Sequence, residues 1–203
     1  LFAILGLTIR EDFLTLYRRL RKAFHGRSDF SRNSLWREVL YYYCVAPETG
    51  QVEKWETEYW ETVKARTTIF PEAEEVLESL SARYEVGLIT NTQGQEASGT
   101  HRISLFPELE KFFRVIIVAG ENDIPPKPDP TPFRLCLEKL DIAAGQALYV
   151  GDDYRIDIRG ARDAGLHPVW LKHSSVRRNW PAVQTSVPVI TSLEQLFDLD
   201  YIY

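Results

Sequence analysis

The sequence predicts a doubly wound α/β domain preceded by a small helical one, and three observations carry that reading. From Phe70 onward, short apolar runs alternate with amphipathic helical stripes. The runs are continuous, as expected of strands covered on both faces in a parallel sheet. Before Phe70 the apolar periodicity is helical throughout, with no strand-like run. The boundary falls near residues 66–71, dividing the chain into a helical unit, 1–68, and an α/β unit, 69–203.

In the first unit, Thr8 and Glu11 form a T-x-x-E capping box ahead of Phe13, Tyr17, Leu20 and Phe24, which recur at helical spacing. Trp36, Val39, Leu40 and Tyr43 repeat the pattern, as do Val52, Trp55, Tyr59 and Val63. Three helices without intervening strands predict a bundle over residues 8–66. In the second unit, Pro71 and Glu72 open a helix whose stripe is Ala73, Val76, Leu77 and Leu80, followed by the apolar run Val86–Ile89. The run Val115–Val118, the helical stripe Phe133, Cys136, Leu137 and Leu140, and the run Ala147–Val150 continue the alternation. A helix after Asp153 and the run Val169–Leu171 follow, and "VPVI" leads into a segment capped by Ser192 with Gln195.

Composition excludes several classes. With 203 residues, 44% hydrophobic and 26% charged, the chain has the make-up of a globular domain, and no run reaches the roughly 18 apolar residues of a membrane span. A formal net charge of −5 at pH 7 provides no global positive field for nucleic acid. Cys44 and Cys136 lie within helical patterns without C-x-x-C spacing and read as buried thiols of a reducing compartment. No signal or transit segment is evident, so the expected location is the cytoplasm.

Chemistry is sought at the carboxyl ends of the strands, where open parallel sheets bind ligands. Reading past each run gives Thr90 and Asn91, then Gly120 and Glu121, then Gly151, Asp152 and Asp153, with Asp157 close behind. Between the second and third runs, "PPKPDPTPF" holds Lys127 among prolines that stiffen the loop. A hydroxyl, a lysine and a carboxylate cluster are complementary to a phosphate and Mg²⁺, a hard cation served by oxygen ligands. Each piece also has a plainer use: Asp152 or Asp153 as a helix cap, Thr90 and Asn91 as a turn, and Lys127 as a solvated loop residue. Gly94 and Gly99 have P-loop-like separation, but Thr100 stands at the lysine position. His25, His101, His167 and His173 lack ligand spacing; the last two read as surface or packing residues.

"VGLITN", "PPKPDPTPF" and "YVGDDYRIDIRGARDAGL" together resemble motifs two, three and four of the haloacid-dehalogenase-like hydrolases. The resemblance covers residues 70–199, and the helical segment before it is similar to the family's type-one cap. It implies a Rossmann-like core and a Mg²⁺-dependent phosphohydrolase acting on a small phosphorylated metabolite through an aspartyl-phosphate. It implies that Thr90 and the Asn91 amide bind the phosphoryl group and that Lys127 neutralises charge. Asp152 and Asp157 then form the metal site, Asp152 as direct ligand and Asp157 anchoring it, its waters or the lysine. Motif one, D-x-D-G-T after an apolar strand, does not occur in "LFAILGLTIRED". The nucleophilic aspartate is therefore expected upstream of Leu1. Without motif one, a haloacid dehalogenase and a catalytically inactive phosphate- or partner-binding domain stand as alternatives.

Overall fold

A computed structural model describes residues 5–24, 31–92, 95, 101–177 and 179–199. His25, Gly94, Gly99 and Thr100 lie outside these residues. Helices α1 (Phe13–Phe24), α2 (Arg32–Tyr42) and α3 (Gln51–Ala65) form the first part. Helix α1 begins at Phe13, whose N–H donates to Arg10 O, rather than at the box formed by Thr8 and Glu11. The aromatic stripes meet between helices: Phe24 packs on Leu35, and Trp36 meets Trp55 and Tyr59 edge-to-face. Ser31 caps α2 by accepting from Ser34 N. Arg32 N donates to the buried Glu56 carboxylate at 2.6 Å, tying the start of α2 to α3.

Beyond α3 come α4 (Ala73–Ser81), β1 (Gly87–Asn91), α5 (Pro107–Glu110), β2 (Val115–Ala119) and α6 (Thr131–Leu140). They are followed by β3 (Leu148–Gly151), α7 (Arg159–Asp163), β4 (His167–Leu171) and β5 (Val189–Ile190). All pairings are parallel, with Ile89 opposite Ile117 and Val150 opposite Val169. One apolar cluster joins Ile89 and Ile117 to Phe133 and Leu137 of α6 and Ala161 of α7. A second joins Val169, Leu171 and Ile190 to Val76 of α4 and Leu196. Helical elements thus cover the strands from two sides, which is the α/β layering the alternation predicts.

Among the described residues the strands form two ladders, β1–β2 and β3–β4–β5. Lys127 Nζ donates to the carbonyl of Ile89 in β1 at 2.9 Å, and the Tyr149 hydroxyl of β3 lies 3.4 Å from both that carbonyl and Asp157 Oδ1. Cys136 is buried as expected, and burial pushes its thiol pKa up to about 11. Cys44 is exposed, contrary to the expectation of a buried thiol, because it lies past the end of α2 in a left-handed turn at φ 55°. Among the described residues, no helix is long and apolar enough to cross a membrane.

Candidate active site

Lys127 is the centre of the site. It is 7% exposed, and its ammonium donates at 2.7 Å to Asp157 Oδ1, at 2.9 Å to Tyr149 Oη and at 2.9 Å to Ile89 O. Those three acceptors match its three protons. Burial opposes the charge, but Tyr149 and Asp157 outweigh it and raise the lysine pKa above its usual value. Burial likewise raises the pKa of Tyr149, so the phenol stays protonated. The lysine backbone is fixed as well, since Lys127 N donates to Asn91 Oδ1 at 2.9 Å and Asn91 Nδ2 donates to Lys127 O at 3.2 Å. Asn91 therefore locks the lysine loop to the end of β1 through its side chain.

The acidic loop divides its work among three carboxylates. Asp153 accepts from the Arg155 and Ile156 N–H groups and caps the turn Tyr154–Ile158, which leads into α7. Asp157 turns back under the strand end, giving Oδ1 to Lys127 and Oδ2 to Asp153 N at 2.9 Å. Gly151 allows this approach: a Cβ there would stand 2.7 Å from Asp157 Cγ. Asp152 is exposed, its backbone held by Trp170 Nε1 on its carbonyl at 3.0 Å. Asp152 lines a cavity of about 280 Å³, together with Ile89, Lys127, Tyr149, Asp157 and His173.

Thr90 lies one residue beyond Ile89, outside that lining, and its hydroxyl meets His101 Nε2 at 3.4 Å. His101 Nδ1 accepts from Ile103 N, which assigns the ring proton to Nε2 and makes the imidazole a donor to Thr90. The Thr90 hydroxyl proton is then available to an acceptor at the strand end. Burial, aided by the positive charges of Arg102 and Lys64, lowers the His101 pKa to about 4 and keeps the ring neutral.

The structure thus gathers Lys127, Asp157 and Asp152 around one cavity, with Thr90 and Asn91 at the adjoining strand end. Sequence reasoning missed Tyr149 and His101. Tyr149 carried a signal, a hydroxyl-bearing side chain within the apolar run "ALYV". His173 is a packing residue: 5% exposed, stacked on Phe70 at 3.6 Å, with its Nε2 2.8 Å from Glu72 Oε1.

Among the described residues, no three His, Cys, Asp or Glu side chains are grouped as a metal cage. The donor set still fits Mg²⁺, which is commonly bound through one or two carboxylates, several waters and the substrate's own oxygens. Both oxygens of Asp157 are engaged within the protein, by Lys127 Nζ and Asp153 N.

The sequence profile of the haloacid dehalogenase-like hydrolases matches residues 29–171, and the chain belongs to that family. Phosphoserine phosphatase of Thermus thermophilus is 33% identical over 145 residues, 69% of this chain and 54% of that protein. The plasmid-encoded phosphoglycolate phosphatase of Cupriavidus necator is 29% identical over 167 residues, 80% of this chain and 70% of that protein. The chain spans about half the length of the first of these relatives. The crystal structure of 2-haloacid dehalogenase from Pseudomonas syringae superimposes with a TM-score of 0.62 at 25% identity, covering 96% of this chain and 81% of that one.

Proposed function

We propose that the protein is a Mg²⁺-dependent phosphohydrolase of small phosphorylated metabolites, with residues 1–68 acting as a cap over a core formed by residues 69–203. The observation that carries this reading is Lys127, held buried by Asp157 at the strand ends beside the exposed Asp152 and the Thr90 hydroxyl. A fixed cation, a hydroxyl donor and a metal-binding carboxylate are the means of neutralising a phosphoryl group during in-line transfer. The two phosphatase relatives support the same class of substrate.

In this reading, Thr90 donates its hydroxyl to a phosphoryl oxygen while His101 holds Thr90 in place, and the Asn91 amide supplies a second donor. Lys127 provides a positive field whose position is set by Asp157, Tyr149 and Asn91. Asp152 holds Mg²⁺, with Asp157 supporting the loop; the metal, when bound, neutralises charge on the phosphoryl oxygens. The nucleophile is an aspartate contributed by the segment before Leu1. Its carboxylate oxygen attacks phosphorus as the ester oxygen leaves with a proton, and water then cleaves the aspartyl-phosphate to free phosphate and the carboxylate.

The test is hydrolysis of an aryl phosphate by the whole protein with and without Mg²⁺. Turnover is expected to require the metal and to fall by about a hundredfold or more in Asp152→Asn. Undiminished turnover in the variant would refute the metal assignment. The likeness to 2-haloacid dehalogenase supports a second reading, halide displacement by the same scaffold. Release of halide from a 2-haloacid, with no phosphatase activity, would decide for it.

A further inference from the structure

A second polar cluster stands at the end of β1, on the seam with α3. Gln95, fully buried, donates through Nε2 to Thr92 O at 2.9 Å, and Thr92 N donates to Ala119 O of β2. The Gln95 carbonyl in turn receives Arg102 N at 3.3 Å and Arg102 Nε at 3.1 Å. Arg102 is thereby fixed to the same strand end that carries Thr90, one residue from the His101 ring that touches Thr90. Its guanidinium is half-buried, and among the described residues no carboxylate pairs with it; the group acting on its charge is the Tyr59 phenol of α3. Lys64, in the last turn of α3, adds positive charge near His101. The Thr92 hydroxyl is buried without a hydrogen-bond partner in this cluster.

A guanidinium partly removed from water, with no carboxylate among the described residues, is costly, and its forked donors suit a planar anionic group. The carboxyl end of the strand is also where a phosphoryl group would rest on Thr90. We propose that Arg102 forms a subsite for a second anionic group of the substrate, so that the enzyme prefers phosphate monoesters bearing a carboxylate or a second phosphate close to the ester. The inference rests on the phosphohydrolase reading and specifies its substrate class. Arg102 binds the non-reacting end of the substrate, and His101 is a positioning residue acting through Thr90.

The experiment compares 2-phosphoglycolate, ethyl phosphate and ethylene glycol bisphosphate as substrates of the whole protein with Mg²⁺, in wild type, Arg102→Gln and Arg102→Lys. The wild type is expected to favour the doubly anionic esters over ethyl phosphate by about tenfold or more in kcat/KM. Arg102→Gln should lower kcat/KM for those esters by roughly ten- to a hundredfold while changing ethyl phosphate by less than about threefold, with Arg102→Lys in between. The ratio of phosphoglycolate to bisphosphate tells a carboxylate from a second phosphate. Equal losses on all three substrates, or no wild-type preference, would overturn the subsite while leaving the phosphohydrolase standing. Calorimetric binding of 2-phosphoglycolate separates the reverse case. Arg102-dependent binding without hydrolysis would retain the subsite and remove the phosphohydrolase. Thermal melts of both variants guard against a folding defect, and an Arg102→Lys protein that melts like wild type yet shows no selective loss also counts against the subsite.

Discussion

Replacing Asp157 with asparagine removes the charge that holds Lys127 while keeping the side chain's shape. In the native protein the two side chains are 9% and 8% exposed and their charged atoms are 2.7 Å apart. Asparagine retains one oxygen but turns the other acceptor into an NH₂ group, which must face either the ammonium or the Asp153 N–H. Breaking a buried pair by removing one partner costs about 3–5 kcal/mol, because the remaining charge stays in a poorly solvating site. The retained oxygen and the Tyr149 and Ile89 acceptors keep the loss near the lower end, about 3 kcal/mol. For a chain of this size that corresponds to roughly a 6–12 °C fall in Tm. Urea unfolding followed by circular dichroism, with midpoints compared at constant slope, measures it. Adding Lys127→Met should recover part of the loss, since the stranded charge is gone. A loss in Asp157→Asn below about 1 kcal/mol, or a double variant equal to the sum of the singles, would refute the claim that the pair is a coupled buried unit.

Gly151→Ala would place a Cβ 2.7 Å from Asp157 Cγ and 2.9 Å from Oδ2, so Asp157 must retreat; a loss of about 1–3 kcal/mol is expected in the same urea assay, and an unchanged midpoint would contradict the packing described. Glu72 provides a test with pH. Burial alone would raise its pKa, but hydrogen bonds from the backbone, His173 and Ser192 overcome this and hold it at about 2, against an ordinary value of 4.5. A depressed folded pKa means stability present above the unfolded value and lost as pH falls through 4.5 towards 2. Between about pH 5 and pH 3, Glu72→Gln should therefore lose less stability than wild type, and parallel acid limbs would show that Glu72 is not the group responsible.

How much of this was legible depended on whether the signal was local. The run Val115–Val118 marks β2 to within a residue because a strand buried on both faces must be continuously apolar. β1 was expected over Val86–Ile89 but runs on through Thr90 and Asn91, which pair with Val118 and Ala119; an apolar pattern cannot see a strand that ends in polar residues. Lys127, Asp152 and Asp157 were readable as a set from their motifs. The resemblance left Asp157 to anchor Asp152, its waters or the lysine, and which of these it meets was not readable, since that lysine lies 30 positions away in sequence. Tyr149 and His101 acquire their roles entirely from tertiary partners, and spacing holds no trace of those. The bend of Cys44 out of the helical pattern is likewise a backbone event at the end of α2, invisible to composition.

The carbonyl of Ile89 has a consequence beyond charge. A strand's alignment is normally gauged by the neighbour it pairs with, and a slip of one residue turns every side chain to the opposite face. β1 pairs with β2, and one of its carbonyls is also met by side chains, the Lys127 ammonium and the Tyr149 hydroxyl. Shifting β1 by a single residue would withdraw that carbonyl, strand the ammonium and rotate Thr90 away from His101. The lysine therefore adds a register contact to the one the β2 ladder sets, made by the same group that carries the site's buried positive charge.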